Sequence, residues 1–245
     1  MKRVNIYSLP ALWDTISAEF GGEEYFLEAA KKTGGPVLEI GSGTGRMIEA
    51  LSKAGFECCG LDLSSEMVRF ASQKVPGAQF VEADMRDFDL GTRFNLIFSA
   101  NNTMQYLQST DDFLSALRAL RRHLRPGGRV VFSIINPRPE RIAPLDEPLK
   151  AMSFKDPASD REITIWETFE FDPDTRIGIT RWEHHDRGEP VLAYEFPLVF
   201  RDHDEVSELC RLGGFRIEQL DGDHSGSAFS AEDSRNMVFS LALAE

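Results

Sequence analysis

The sequence predicts an α/β fold in which helices cover both faces of a mostly parallel sheet. Residues 36–135 alternate strand and helix patterns five times, which is typical of parallel sheets whose strands are connected by helices. A glycine-rich turn follows the first strand pattern, and an acidic residue ends the second. The length of 245 residues fits a single domain spanning 1–245, because α/β domains of this size bury an ample core.

The first strand pattern runs directly into three glycines at alternate positions. Val37, Leu38 and Ile40 form a short apolar run, and the glycines at 41, 43 and 45 follow it. Without Cβ atoms, this backbone can turn tightly and approach a ligand closely. Apolar residues at helical spacing resume at Met47, so the N–H groups that begin this helix point towards the same place. The pattern therefore predicts a nucleotide-like ligand.

The glycine spacing distinguishes between classes of nucleotide. A dinucleotide loop has the pattern Gly-x-Gly-x-x-Gly, whereas here Arg46 occupies the position of the third glycine. Glu39 lies two residues before the first glycine. A carboxylate at this place would repel a pyrophosphate and attract an ammonium group. These two departures favour a ligand that carries an amino group and no phosphate.

Polar side chains end the next three strand patterns. The second pattern ends at Asp62, 21 residues after Gly41, and an acid at this place hydrogen-bonds ribose hydroxyls. Ser64 is a candidate N-cap of the next helix. The third pattern ends at Asp84-Met85, and the fourth leads into Asn101-Asn102. The fifth strand pattern follows a helix end and a Pro-Gly-Gly turn.

Together, the motifs from Val37 to Ile135 resemble those of class I S-adenosylmethionine-dependent methyltransferases. The resemblance implies a Rossmann-like seven-stranded sheet with helices on both faces, and S-adenosyl-L-methionine as cofactor. More narrowly, the chain resembles small-molecule N-methyltransferases of amino sugars and glycine-type amines, through Gly-Pro-Val-Leu-Glu, Leu-Asp-Leu-Ser and Asp-Met-Arg-Asp-Phe. The implied reaction is in-line transfer of a methyl group to an amine, hydroxyl or carboxyl of a metabolite or natural-product intermediate.

The resemblance also implies roles for particular residues. The glycine backbone would face the methionine tail and ribose, Glu39 the ammonium group, and Asp62 the ribose hydroxyls. Asp84 and Met85 would frame the adenine. The predicted cofactor-binding residues are Tyr25, Glu39, Gly41, Gly43, Gly45, Arg46, Asp62, Leu63, Met67, Asp84, Met85 and Asn101.

On the acceptor side we predict Asn102, Tyr106 and His185 as catalytic residues. Asn102 and Tyr106 follow the fourth strand, where open α/β sheets present ligands. His184 and His185 occupy neighbouring strand positions, so one faces in and the other out. A histidine that faces in can accept a proton near neutral pH. Arg201 is a candidate for holding an anionic group.

The organisation outside the core is less regular. Residues 1–34 are interpreted as N-terminal helices forming a lid, residues 35–135 as the cofactor-binding core, and residues 201–245 as a final helix and strand pair. Residues 136–200 are interpreted as an inserted antiparallel three-strand subdomain that covers the acceptor. Its strands are expected at 163–171, 176–185 and 191–200. The passage 136–160 contains five prolines and is expected to lack regular elements.

Bulk properties exclude several functions. The net charge of −13 opposes nucleic-acid binding, which requires clustered cations. No run of 18 apolar residues is present, so we predict no membrane span. The three cysteines fit no metal-binding spacing, and we predict no metal and a cytoplasmic location. An exposed edge strand is compatible with a homodimer.

Two alternative functions are left open by the sequence. They are a non-catalytic cofactor-binding sensor or scaffold and an NAD-linked oxidoreductase.

Overall fold

The computed structural model describes residues 1–157 and 159–244. Its strands are β1 (Lys2–Arg3), β2 (Val37–Ile40), β3 (Cys58–Asp62), β4 (Gln79–Glu82), β5 (Phe94–Ser99), β6 (Leu124–Ile135), β7 (Leu149–Lys155), β8 (Glu162–Asp172), β9 (Ile177–Asp186), β10 (Glu189–Val199), β11 (Phe215–Asp221) and β12 (Asn236–Leu243). The α-helices are α1 (Pro10–Ser17), α2 (Glu23–Thr33), α3 (Arg46–Lys53), α4 (Ser65–Lys74), α5 (Thr110–His123), α6 (Pro139–Ile142) and α7 (His203–Leu212). Two 3₁₀ turns span Ile6–Ser8 and Thr103–Tyr106.

Seven strands form the core sheet in the order β11-β12-β6-β5-β2-β3-β4. The five strands from β2 to β6 run parallel, and β12 and β11 close the sheet as an antiparallel pair. One apolar cluster packs α5 and α7 against the sheet. A second packs α2 and α3 against it, with the Phe26 and Phe98 rings stacked at 4.5 Å. The predicted fold is confirmed.

Local signals fix the helix starts around the glycine turn. Ser64 caps α4, where its hydroxyl accepts a hydrogen bond from the Met67 N–H at 3.3 Å, as the N-cap assignment predicted. Helix α3 begins after Gly45, whose φ is +76°, a backbone conformation that favours glycine. Both helices therefore begin at the carboxyl edge of the parallel strands.

A second sheet has five strands in the order β1-β10-β9-β8-β7. The insertion supplies four of these strands, whereas the sequence predicted three. The additional strand is β7, which lies in the passage 136–160 that was expected to lack regular elements. The strand lies between Pro148 and Pro157 and contains no proline, so all of its N–H groups can take part in the ladder with β8. The earlier proline Pro139 begins α6, a position that needs no donor. The number of prolines therefore did not exclude regular structure in this passage, because the prolines lie outside β7 or at the start of α6.

The N-terminus and the fourth-strand loop join this sheet to the core. Strand β1 pairs in parallel with β10, Lys2 opposite Leu192. Gln105 is buried and bridges both sheets, because its Nε2 donates to the Val199 carbonyl at 3.0 Å and its Oε1 accepts from the Ile135 N–H at 2.8 Å. Within the described residues, no helix combines the length and apolar character needed to cross a bilayer.

Candidate functional site

The parallel strands end at a crevice that is lined by the glycine turn. At Gly41 (φ +69°) a Cβ atom would collide with the Thr103 side chain, and at Gly45 a Cβ would lie 2.9 Å from the Phe80 ring. Such distances are shorter than van der Waals contact allows, so this turn requires glycine for space as well as for conformation. The carboxyl ends of β2 and β5 are therefore held in close contact.

Asp62 ties the glycine turn to the end of β3. Its Oδ2 accepts a hydrogen bond from the Gly43 N–H at 2.8 Å, and its Oδ1 accepts from the Ser64 N–H at 2.9 Å. Burial raises the pKa of Asp62, while these backbone donors lower it. Each carboxylate oxygen keeps a second lone pair, so the placement fits the predicted ribose contact. The next residue, Leu63, is 70% exposed.

Glu39 is buried at the end of β2 with one oxygen unsatisfied. The residue is 3% exposed, and its Oε2 has no hydrogen-bond partner. Burial raises the pKa of Glu39 well above its usual range, and the charge of Arg46 partly opposes this. An unsatisfied buried carboxylate oxygen beside a glycine turn fits a ligand that carries an ammonium group. The residues present are therefore compatible with S-adenosylmethionine.

We expect Glu39→Gln to raise the melting temperature of the cofactor-free protein at pH 7 and to weaken cofactor binding. The pKa of Glu39 is raised in the folded state, so the ionised form is penalised there and the penalty is present above the unfolded-state pKa. The stabilisation should shrink as the pH falls from above the folded-state pKa towards the unfolded one. Thermal melts from pH 4 to 8 and cofactor titrations check both results. A lower melting temperature at pH 7 would contradict the prediction.

Other predicted cofactor residues make contacts within the protein. Arg46 forms an ion pair with Glu23 and donates to the Gly21 carbonyl at 3.0 Å, which joins the start of α3 to α2. The Tyr25 hydroxyl donates to Asp221 Oδ2 at 2.8 Å. Burial and this contact raise the pKa of Tyr25. Neither side chain projects freely towards the glycine turn.

Three more predicted residues lie around the rest of the crevice edge, and a fourth is in the core. Asp84 is bound by Arg86 (Nη2 to Oδ2, 2.6 Å), which lowers its pKa. Met85 is half-buried against the core, and Met67 is fully buried. Asn101 is exposed, with φ at 52°.

Asn102 has the same backbone character as Asn101, with φ at 63°. Left-handed backbone is uncommon outside glycine, and asparagine tolerates it best among the other residues. Two successive residues of this kind turn the chain sharply between β5 and the 3₁₀ turn that carries Tyr106.

An aromatic wall covers the crevice. We use this name for the side chains that join the N-terminal segment, the 3₁₀ turn after β5 and the second sheet: Tyr7, Trp13, Phe20, Tyr106, Trp182, Tyr194 and Phe196. The Tyr7 and Tyr106 hydroxyls share a hydrogen bond of 2.6 Å, and the rings of Trp13 and Phe196 lie 6.1 Å apart. The Ser64 hydroxyl donates to the Tyr7 carbonyl at 3.0 Å. The wall is thus fastened to the start of α4, beside Asp62.

Two polar groups from the second sheet adjoin the aromatic wall. The Trp182 Nε1–H donates to Glu167 Oε2 at 2.7 Å. His184 Nε2 and the Tyr194 hydroxyl lie 2.8 Å apart. Burial lowers the pKa of His184 to about 4 and raises that of Tyr106 to about 12. At neutral pH the histidine is therefore neutral and the tyrosine protonated.

His185 lies on the opposite face of the second sheet, contrary to the prediction that placed it in the site. Trp182 and His184 share the face that packs against the core, and side chains alternate along a strand. His185 contacts the Gly188 carbonyl through Nδ1 at 3.3 Å, and its ring lies 6.3 Å from that of Trp166. The sequence showed that one of the two histidines faces in, but not which one.

We expect His185→Ala to change kcat/KM by less than about threefold, because surface substitutions distant from a site have small effects. The matched variant on the inner face is His184→Ala, which breaks a buried hydrogen bond. Steady-state kinetics on an accepted substrate compares the two. A loss of more than about tenfold in the His185 variant alone, roughly 1.4 kcal/mol, would contradict the placement.

Arg201 does not reach the crevice. Its side chain is buried, with Nη2 donating to the Gln108 carbonyl at 3.3 Å and the guanidinium 5.3 Å from the Phe113 ring centre. Glu205 lies 3.3 Å from its Nε. Glu167, Trp182 and Arg141 are polar or aromatic residues near the aromatic wall that the sequence does not single out, because no local motif marks them. No group of three or more His, Cys, Asp or Glu side chains suited to a metal occurs in residues 1–157 and 159–244.

Comparison with known proteins agrees with this geometry. Residues 37–128 match the family model described as "Methyltransferase domain". The cypemycin N-terminal methyltransferase of a Streptomyces species is 26% identical, with 85% of this chain and 83% of that protein covered. The dTDP-3-amino-3,4,6-trideoxy-alpha-D-glucopyranose N,N-dimethyltransferase of Streptomyces venezuelae is 36% identical, but the match covers only 39% of this chain and 40% of that enzyme.

The fold is also found in a solved structure. The CcbJ methyltransferase from Streptomyces caelestis superposes with a TM-score of 0.80 at 24% identity, covering 91% of this chain and 89% of that one. At this identity the likeness shows a shared fold.

Proposed function

The chain is a class I S-adenosylmethionine-dependent methyltransferase of the small-molecule type, and from this premise we propose that its acceptor is an amine held against the aromatic wall. The observation that carries the proposal is the Glu167 carboxylate, oriented by Trp182 on the face that packs against the core. Aromatic faces and a carboxylate together attract a cationic or hydrogen-bond-donating nitrogen.

The cofactor side of the proposal uses the glycine turn and two carboxylates. When bound, S-adenosylmethionine supplies a methyl group on a sulfonium, which is a strong leaving group. Glu39 would pair with the ammonium group through its unsatisfied oxygen. Asp62, fixed by Gly43 and Ser64, would accept hydrogen bonds from the ribose. Rigid placement of this kind accelerates methyl transfer because it aligns the reacting groups.

The side chains of the aromatic wall favour an acceptor that is methylated on nitrogen over one that is methylated on oxygen. Burial raises the pKa of Tyr7 and Tyr106 and lowers that of His184. These groups are therefore poor bases for removing a hydroxyl proton at neutral pH. A neutral amine needs no such base: its nitrogen bonds to the methyl carbon as the carbon–sulfur bond breaks, and the product ammonium loses its proton to solvent. Of the two relatives reported above, one is named as an N,N-dimethyltransferase of an amino sugar and the other as an N-terminal methyltransferase.

A matched set of acceptors tests this proposal. The purified chain is incubated with S-adenosylmethionine and with pairs of small molecules that differ only in an amine or a hydroxyl group. Mass spectrometry then measures the gain of one methyl. We expect methylation of amines and none of their hydroxyl partners. Methylation of the hydroxyl partners alone would contradict the amine assignment, and cofactor binding without turnover of any acceptor would favour the sensor alternative.

A further inference from the structure

A half-buried arginine lies beside the crevice. Arg141 lies in α6, just after β6, and its Nε is buried without a hydrogen-bond partner. In residues 1–157 and 159–244 its guanidinium makes no hydrogen bond or ion pair. Burial is the main cause that lowers the pKa of Arg141. An unpaired guanidinium out of bulk water is costly unless an anion satisfies it.

A second arginine approaches the same place from the other end of the chain. Arg235 immediately precedes β12, and its carbonyl accepts a hydrogen bond from the Asn136 N–H at 3.1 Å. Arg138 fastens α6 to the same loop by donating to the Glu232 carbonyl at 2.7 Å. The charge of Arg235 further lowers the pKa of Arg141, so the two guanidinium groups are close enough to repel. The exposed side chain of Arg235 likewise has no partner in the described part of the chain.

This pair of arginines lies on the acceptor side of the crevice. Strand β6 ends at Ile135, opposite Asn236, the first residue of β12. Ile135 and Ile142 pack in the same apolar cluster as Tyr194 and Phe196 of the aromatic wall. The Glu167 carboxylate is also near enough to act on Arg141, and its charge raises the pKa of that side chain. No ion pair joins Glu167 to Arg141 within the described residues, so both charges remain available to a ligand.

We propose that Arg141 and Arg235 bind an anionic group of the acceptor, a carboxylate or a phosphate, while Glu167 holds its amine. The inference rests on the proposed function, because it assigns a second charged group to the same acceptor. A guanidinium matches either oxyanion through two parallel hydrogen bonds. The acceptor therefore carries both an amine and an anionic group. The distance between these two groups matches the distance from Glu167 to the arginine pair. In a chain of net charge −13, two neighbouring arginines at this place provide local attraction for such a ligand.

Calorimetry with simple anions tests the site without knowledge of the acceptor. The full chain, loaded with S-adenosylhomocysteine, is titrated at constant ionic strength with inorganic pyrophosphate and, separately, with malonate. We expect saturable binding of at least one probe, and the probe that binds more tightly identifies phosphate or carboxylate as the preferred group. Arg141→Gln and Arg235→Gln should each weaken that binding by about tenfold or more. Arg118→Gln, an exposed change on α5, should leave it unchanged.

Three outcomes would overturn the proposal. The first is no saturable binding of either probe, and the second is binding by both Gln variants that is as tight as in the unsubstituted chain. The third is a loss in the Arg118 control as large as the loss in the Gln variants of Arg141 and Arg235. S-adenosylhomocysteine affinity is measured in every variant. A loss there in Arg141→Gln would assign the arginine to the cofactor carboxylate and refute the acceptor role. Failure of amine methylation with intact, arginine-dependent anion binding would instead reject only the proposed amine acceptor. Melting temperatures confirm that each variant is folded.

Discussion

Asp62→Ala should weaken binding of S-adenosylmethionine by more than about tenfold, since a hydrogen bond to a charged group contributes roughly 1.5–3 kcal/mol. The substitution removes the acceptor for the Gly43 and Ser64 N–H groups and the predicted contact to the ribose. It thus releases the glycine turn as well as the ligand. Calorimetric titration with S-adenosylmethionine and with S-adenosylhomocysteine measures the effect, and both ligands should lose affinity equally because they share the ribose.

Asp174→Ala is the matched control for this change. Asp174 is an exposed aspartate in the turn between β8 and β9, so its removal alters the net charge in the same way without touching the crevice. Asp62→Asn removes the charge and keeps only one of the two backbone contacts, because the amide oxygen can accept a hydrogen bond and the amide nitrogen cannot. Unchanged cofactor affinity in a folded Asp62→Ala variant would remove this residue from the site.

The geometry of the glycine turn and of the neighbouring strand end could be predicted because its signals are local, whereas the contacts of these residues with the cofactor stay a prediction. Gly41 and Gly45 occupy places where a Cβ atom would collide with Thr103 or Phe80, and Asp62 lies at the end of its own strand. Such features belong to one strand–turn–helix unit. Within such a unit, the distance between two residues along the sequence predicts how they are placed in space. The same holds for the N-cap at Ser64, which follows from a few consecutive residues.

The arrangement of side chains where we propose that the acceptor binds could not be predicted in the same way, because it depends on the register between distant strands. Glu167 and Trp182 meet because β8 pairs with β9 in one particular alignment, and a shift of one residue would reverse every side chain. His185 was placed in the site for this reason, whereas His184 occupies the inward face. Arg141 and Arg235 are brought together by the β6–β12 pairing, across 94 residues of sequence. No short-range pattern records such contacts.

The N-terminal segment shows why these two sides are joined. Strand β1 pairs with the second sheet, while Asp14 of α1 pairs with Lys74 of α4 at 2.7 Å. Tyr7 lies between these attachments and bonds to Tyr106. The segment therefore spans the crevice and is fastened at both ends, so a ligand must enter past it or displace it. This placement agrees with the lid predicted for residues 1–34, whose function stays a prediction.

Glu167→Gln should lower kcat/KM for amine acceptors by about 10- to 150-fold while leaving the cofactor dissociation constant unchanged. The estimate is the loss of a charged hydrogen bond, roughly 1.5–3 kcal/mol. Glutamine is nearly the same size, and its carbonyl oxygen still accepts the Trp182 Nε1–H. The change therefore removes the negative charge and keeps the aromatic wall in place. Because the charge acts on the acceptor, the loss should be the same at saturating cofactor.

Glu170→Gln provides the control on the same strand. Phe169 and Phe171 face the core, so the exposed Glu170 between them points to the outer face. It carries the same charge at a similar height in the sheet, and we expect its removal to leave kcat/KM within about twofold. Equal losses in both variants would mean that net charge, and not position, governs acceptor binding. Full activity of Glu167→Gln on amines would show that the Glu167 charge does not bind the acceptor amine. This result would overturn the amine assignment.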